Sequence, residues 1–125
     1  MTEIEIDKRH TVLKFSFSKR VLPQETEGTI ERVRTLLFDL QPGFSMCTDL
    51  TMLEFMDPGC AKHIERTMDL CREAGVSKVV RVIPDPKKDI GFSIMSLFHY
   101  DRRVQVVTCQ TLQEADAILG ISSVD

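Results

Sequence analysis

Tryptophan is absent from this chain, tyrosine occurs once, and 125 residues hold only six glycines and five prolines. So little Gly and Pro excludes a collagen-like or linker-like chain, and 42% hydrophobic with 28% charged residues is the balance of a packed globular domain. Long apolar runs are missing too. Nothing approaches the ~20 residues of a membrane-spanning helix. The opening Met1-Thr-Glu-Ile-Glu-Ile-Asp7 is too acidic for a signal peptide, so a cytoplasmic protein without a membrane span is expected.

A basic excess is also lacking: 16 Lys and Arg face 19 Asp and Glu, for a net charge of -3. Phosphate backbones are held by clustered cations, so no nucleic-acid partner is expected. There is no glycine-rich phosphate loop, nucleophile elbow or zinc-protease motif. No catalytic residue and no cofactor is therefore assigned. An enzyme would have to bring together Asp49, Asp57, Asp85, Cys60, His63 and His99, with two neighbouring carboxylates dividing acid and base roles at one end of a sheet.

The four cysteines, Cys47, Cys60, Cys71 and Cys109, lie far apart in a chain without secretion signals, which favours free buried thiols over disulfides. Cys60-x-x-His63 is half of a zinc pattern without its second half, so no metal is expected. Because Cys60 stands near an expected helix start, a redox-sensitive thiol remains an alternative to an inert buried one.

What is present is clear periodicity. Thr2 to Ile6 alternates polar and apolar, and after the turn-like Asp7-Lys-Arg-His10 the run Thr11 to Phe17 alternates again, with Leu13, Phe15 and Phe17 on one face. This predicts a hairpin. From Pro23 the period becomes helical: Ile30, Val33, Leu37 and Leu40 recur along one stripe, Glu25 and Glu27 suit the first turn, and Gln41-Pro42-Gly43 stops the segment. Phe44 to Leu50 reads as a strand and Thr51 to Met56 as a loop. A second helix then carries Ala61, Ile64, Met68 and Cys71 on one face and ends at Gly75.

Val76 to Ile83 is β-branched and continuous, as a central strand is. A third helix is expected over 89–100 from the spacing of Ile90, Ile94, Leu97 and Phe98, and a fifth strand over 104–109. Thr111-Leu-Gln-Glu114 is a capping box opening a last helix whose stripe is Leu112, Ala115, Ile118 and Leu119. The order ββαβαβαβα predicts a single α/β domain over residues 1–125: a mixed sheet with an N-terminal hairpin, right-handed crossovers and about four helices.

Two places invite a functional reading. At Asp57-Pro58 an aspartate stands ready to cap a helix and a proline to occupy its first position, a purely structural device that recurs at Asp85-Pro86. In the third expected helix, Phe92, Met95 and Tyr100 widen the apolar surface beyond one face. That is either a deeply buried stripe or a patch for a second copy of the chain, a protein partner or a small or lipid-like ligand.

The segment Asp49-Leu-Thr-Met-Leu-Glu-Phe-Met-Asp57, the terminal Thr111-Leu-Gln-Glu-Ala-Asp-Ala-Ile-Leu119 and the element order resemble the STAS domain family, shared by anti-sigma-factor antagonists and the tails of sulfate transporters. The resemblance implies a STAS-like (SpoIIAA-like) fold and a non-catalytic regulatory domain whose partner is an anti-sigma factor, a kinase-like protein or another protein. Its expected contacts are Met52, Glu54 and Met56 in the loop, Asp57, Pro58 and Gly59 at the junction, and Lys62 and His63 on the exposed flank of the helix. In the antagonists a phosphorylated serine follows the aspartate. Here Pro58 takes that place, so the resemblance implies a switch lost at this position, with Thr48 and Thr51 as the nearby hydroxyls that could replace it.

Overall fold

The computed structural model describes residues 1–85, 100 and 103–121. Strands β1 (Thr2–Asp7) and β2 (Val12–Phe17) pair antiparallel, as their shared alternation requires. Next come β3 (Lys19–Val21), helix α1 (Pro23–Leu37), β4 (Ser45–Asp49) and β5 (Leu53–Met56). They are followed by a 3-10 turn (Pro58–Cys60), α2 (Ala61–Glu73), β6 (Lys78–Val82), β7 (Gln105–Cys109) and α3 (Leu112–Leu119). The main sheet runs β1-β2-β4-β6-β7, with β2, β4, β6 and β7 mutually parallel and antiparallel pairing confined to the N-terminal edge.

The mixed α/β sheet is the expected one, with one correction. Residues 51–56 were expected as a loop, yet Leu53–Met56 is a strand that pairs in parallel with β3 as a separate two-stranded sheet. Three or four residues are too few to display a period, and the pairing joins segments some thirty positions apart. The described residues hold three of the expected α-helices, and the one expected over 89–100 lies outside them except at Tyr100. Among the described residues no helix is long and apolar enough to cross a membrane.

Strand alternation divides the core in two. Leu13, Phe15, Phe17, Met46 and Val79 face one side, where they pack with Val33 of α1 and Ile64, Met68 and Cys71 of α2. Val12, Cys47, Val80, Val82 and Cys109 face the other, under Ala115 of α3. A strand covered on both faces explains why Val79 on one side and Val80 and Val82 on the other are all apolar. Helix α1 starts at Pro23, whose missing donor costs nothing there, and Leu40 is buried beyond the helix end rather than on its stripe. At α3 the Thr111 hydroxyl accepts from Glu114 N at 3.1 Å. The Glu114 carboxylate meets that same hydroxyl at 3.1 Å, so the capping box is made on one side through the side chain.

Candidate functional site

The junction at residues 49–63 is built from caps. Where β4 ends, Asp49 Oδ1 accepts from Thr51 N at 2.9 Å, and Leu53 N reaches Leu50 O at 3.2 Å to close a tight turn. After β5, Asp57 Oδ1 accepts from Gly59 N at 2.7 Å while Cys60 N bonds Asp57 O at 2.9 Å, with Pro58 as first residue of the 3-10 turn. Each aspartate satisfies a backbone donor that would otherwise be orphaned, which is the structural reading of both side chains. A Cβ built on Gly59 would lie 2.9 Å from Pro23 Cγ and 3.1 Å from Asp57 Oδ1. The junction is thus seated directly against the start of α1.

Removing the cap has a bounded consequence. Asp57→Ala is expected to cost about 1 kcal/mol in chemical denaturation, whereas Asp57→Asn, which keeps an acceptor, should recover most of it. Equal losses in the two variants would mean that the carboxylate acts by charge rather than as a cap.

The residues expected to meet a partner separate into two groups. Met52 is 71% exposed at the tip of the turn, Phe55 is 39% exposed, and Glu54, Pro58, Gly59 and Lys62 are exposed beside them. The Arg20 guanidinium lies 4.6 Å from the Phe55 ring centroid, a cation–π contact that fixes the ring's position. Met56 and His63, in contrast, are buried. His63 was expected on the exposed flank. Instead its Nδ1 lies 2.8 Å from Thr26 Oγ1 and joins α2 to α1. Its spacing with Thr67 and Cys71 was the available signal, since residues four apart share a helix face. Phe55, not singled out in the sequence, joins the exposed group: β5 is buried only at its ends, Leu53 and Met56, and the register shift between Lys19 and Arg20 sets Phe55 opposite Arg20.

Thr48 is buried on β4 and Thr51 is half-buried at the turn. Of the other groups an enzyme would need, Asp85 is exposed and His99 lies outside the described residues, as do Phe92 and Met95. Tyr100 is buried in the core, not on an outer patch. Burial raises the Cys60 thiol pKa, with Asp57 and Glu25 adding to the shift, and its Sγ is directed at Val21 O at 3.6 Å. The environment of Cys60 is therefore that of an inert buried thiol and not of an activated one. All four cysteines are free and buried.

No protein-family profile matches this chain and no curated protein matches it. Solved structures do. The unphosphorylated anti-sigma factor antagonist SpoIIAA aligns over 97% of this chain and 100% of its own, with 18% identity and a TM-score of 0.62. The phosphorylated Bacillus cell fate determinant SpoIIAA aligns over 94% and 99%, with 15% identity and a TM-score of 0.63. An uncharacterised protein of the DUF3478 family from Shewanella loihica, described as having a SpoIIAA-like fold, aligns over 95% and 92%, with 13% identity and a TM-score of 0.70. Near-complete coverage in both directions makes the likeness one of whole architecture, and the chain has the SpoIIAA-like fold that the STAS resemblance implies.

Proposed function

We propose that the chain is a non-catalytic, cytoplasmic SpoIIAA-like interaction domain that binds a protein partner through the turn and junction at Met52, Glu54, Phe55, Asp57, Pro58, Gly59 and Lys62. The observation that carries this reading is the exposure of Met52 and Phe55 amid buried Leu50, Leu53 and Met56. Two large apolar side chains are held in solvent on a frame of caps, strand pairing and core contacts. Such side chains, ringed by polar neighbours, are the usual anchors of a protein interface. The solved anti-sigma factor antagonist SpoIIAA supports an anti-sigma factor as the type of partner, and the STAS resemblance adds a kinase-like protein.

Pro58 has no hydroxyl, and Thr48 is buried where a kinase would not reach it. Binding through this surface is therefore not switched by phosphate at either position. A pull-down from cells expressing the protein tests the surface. Met52→Asp with Lys62→Glu, checked for unchanged circular dichroism, should retain about a tenth of a specific partner, whereas Glu27→Lys on exposed α1 should retain it all. Full retention by the double variant overturns the assignment.

A further inference from the structure

Lys19, the first residue of β3, has φ +57, a left-handed conformation that a lysine rarely adopts. The strain sits at a register shift in the small sheet that carries Phe55. Lys19 pairs with Leu53, so an unshifted ladder would set Arg20 opposite Glu54. The shift skips Glu54 and sets Arg20 opposite Phe55 instead. A neighbour that would answer the arginine's charge is thus exchanged for one that offers only a ring. A strained residue kept in place beside a surface site points to a use for the geometry it creates.

That geometry is a cation held still and left unanswered. Arg20 is exposed, its guanidinium stands 4.6 Å from the Phe55 ring centroid, and among the described residues it makes no ion pair and no side-chain hydrogen bond. Two acids share its shallow depression without changing this: Glu25 lies 3.5 Å from the Met1 amino group, and Glu54 forms no ion pair. The Asp57 carboxylate is engaged by Gly59 N. A guanidinium over a ring is attracted by the π face, yet its N–H fork stays free at the edge to donate two parallel hydrogen bonds to a carboxylate. Lys19, also exposed and without an ion pair, adds positive charge to the same depression.

Given that this surface is the one that meets a protein, we propose that what it receives is an acidic segment: a Glu or Asp carboxylate of the partner takes the Arg20 fork, and an adjacent apolar side chain packs on Met52 and Phe55. Charge sets the choice of partner, because a basic segment would face two unanswered cations and be repelled. The ring sets the place, because Phe55 holds the guanidinium beside the apolar contact.

Two measurements on the whole chain test this. In an NMR titration, acetyl-Leu-Glu-Leu-amide should give saturable shifts at the Arg20 side-chain N–H groups and the Phe55 ring, with the Gln counterpart about tenfold weaker because it lacks the charge. Arg20→Gln should bring the two peptides to equal affinity, and Phe55→Leu should weaken the Glu peptide because the guanidinium loses its seat. A merely structural pair would instead lower the melting temperature and leave the Glu-to-Gln ratio as it was. The proposal is overturned by absence of saturable shifts through the millimolar range, by the Gln peptide binding as well as the Glu peptide, or by an unchanged ratio in Arg20→Gln. In the pull-down, Arg20→Glu should retain about a tenth of the partner. Full retention by Arg20→Glu alongside loss in Met52→Asp with Lys62→Glu overturns the acidic segment and leaves the surface standing. Full retention by both overturns the surface as well.

Discussion

Titrated with base, the protein is expected to unfold between pH 9.0 and about 12, the interval set by two buried thiols. Burial pushes both Cys47 and Cys71 from the ordinary 9.0 up to about 12, and at Cys47 the nearby Asp49 carboxylate adds to the effect. The sign follows from which state holds the proton more tightly. Below 9.0 the thiols are protonated folded and unfolded, and their contribution is fully present. Above 9.0 the unfolded chain ionises first, so stability falls by about 1.4 kcal/mol per pH unit per thiol and is lost as the pH passes the folded value. Each thiol thus withdraws about 4 kcal/mol by the upper limit, and the pair about 8 kcal/mol. That rivals the roughly 5–15 kcal/mol that holds a domain together.

The check is far-UV circular dichroism against pH. Cys47→Ala with Cys71→Ala should be somewhat less stable at neutral pH, because two packed sulfurs are lost, yet unfold at higher pH than the parent. Tyr100, raised by burial in the same sense, should act in the same direction, so adding Tyr100→Phe should move the midpoint further up. An alkaline midpoint that ignores all three substitutions would show that other groups govern base unfolding. Native thiol labelling gives an independent reading: at mildly alkaline pH these cysteines should react about a thousandfold more slowly than in the unfolded chain, in proportion to thiolate.

The same burial explains what was legible in the sequence. Leu13, Phe15 and Phe17 declared their face because β2 is long enough for alternation to repeat, and Ile64, Met68 and Cys71 declared theirs over two helical turns. Strands β3 and β5 did not, since neither holds more than two periods and each is fixed by the other. The polar residues turned inward were the harder case. His63 and Arg81 do not declare their burial in the sequence, because charge capacity is ordinarily a sign of exposure. The decisive clue for Arg81 was its neighbourhood: a run such as Val79-Val-Arg-Val82 belongs to a strand covered on both faces, so its arginine has no exposed side to occupy. The exposure of Met52 is legible because a methionine between strand ends has no period to join. Phe55 is not, because exposed Glu54 and Phe55 between buried Leu53 and Met56 follow no strand period.

Replacing Gly75 by alanine is expected to cost about 3 kcal/mol, part from backbone conformation and part from a steric contact. Gly75 ends α2 at φ +96, where an L side chain is strained, and a Cβ there would lie 2.9 Å from Pro42 Cβ and 3.0 Å from Pro42 Cα. Those atoms cannot swing aside as a flexible side chain would, because the segments are joined across the gap. Gly43 N donates to Gly75 O at 2.7 Å, and Ser77 Oγ donates to Gly43 O at 2.7 Å. Gly43 supplies the control: its φ is +97, yet an added Cβ would meet nothing within 4 Å. Gly43→Ala should therefore lose only the conformational part, about 1 kcal/mol. The Gly75→Ala melting temperature should fall by roughly 10 °C. Pro42→Gly in the Gly75→Ala background should recover the share of the steric part that Pro42 Cβ contributes, giving a coupling that the separate substitutions do not predict. Gly75→Ala no worse than Gly43→Ala would remove the contact from the account. The join matters beyond stability, because it ties the start of β4 to the start of β6, and that register sets Thr48 beside Arg81 three positions further on.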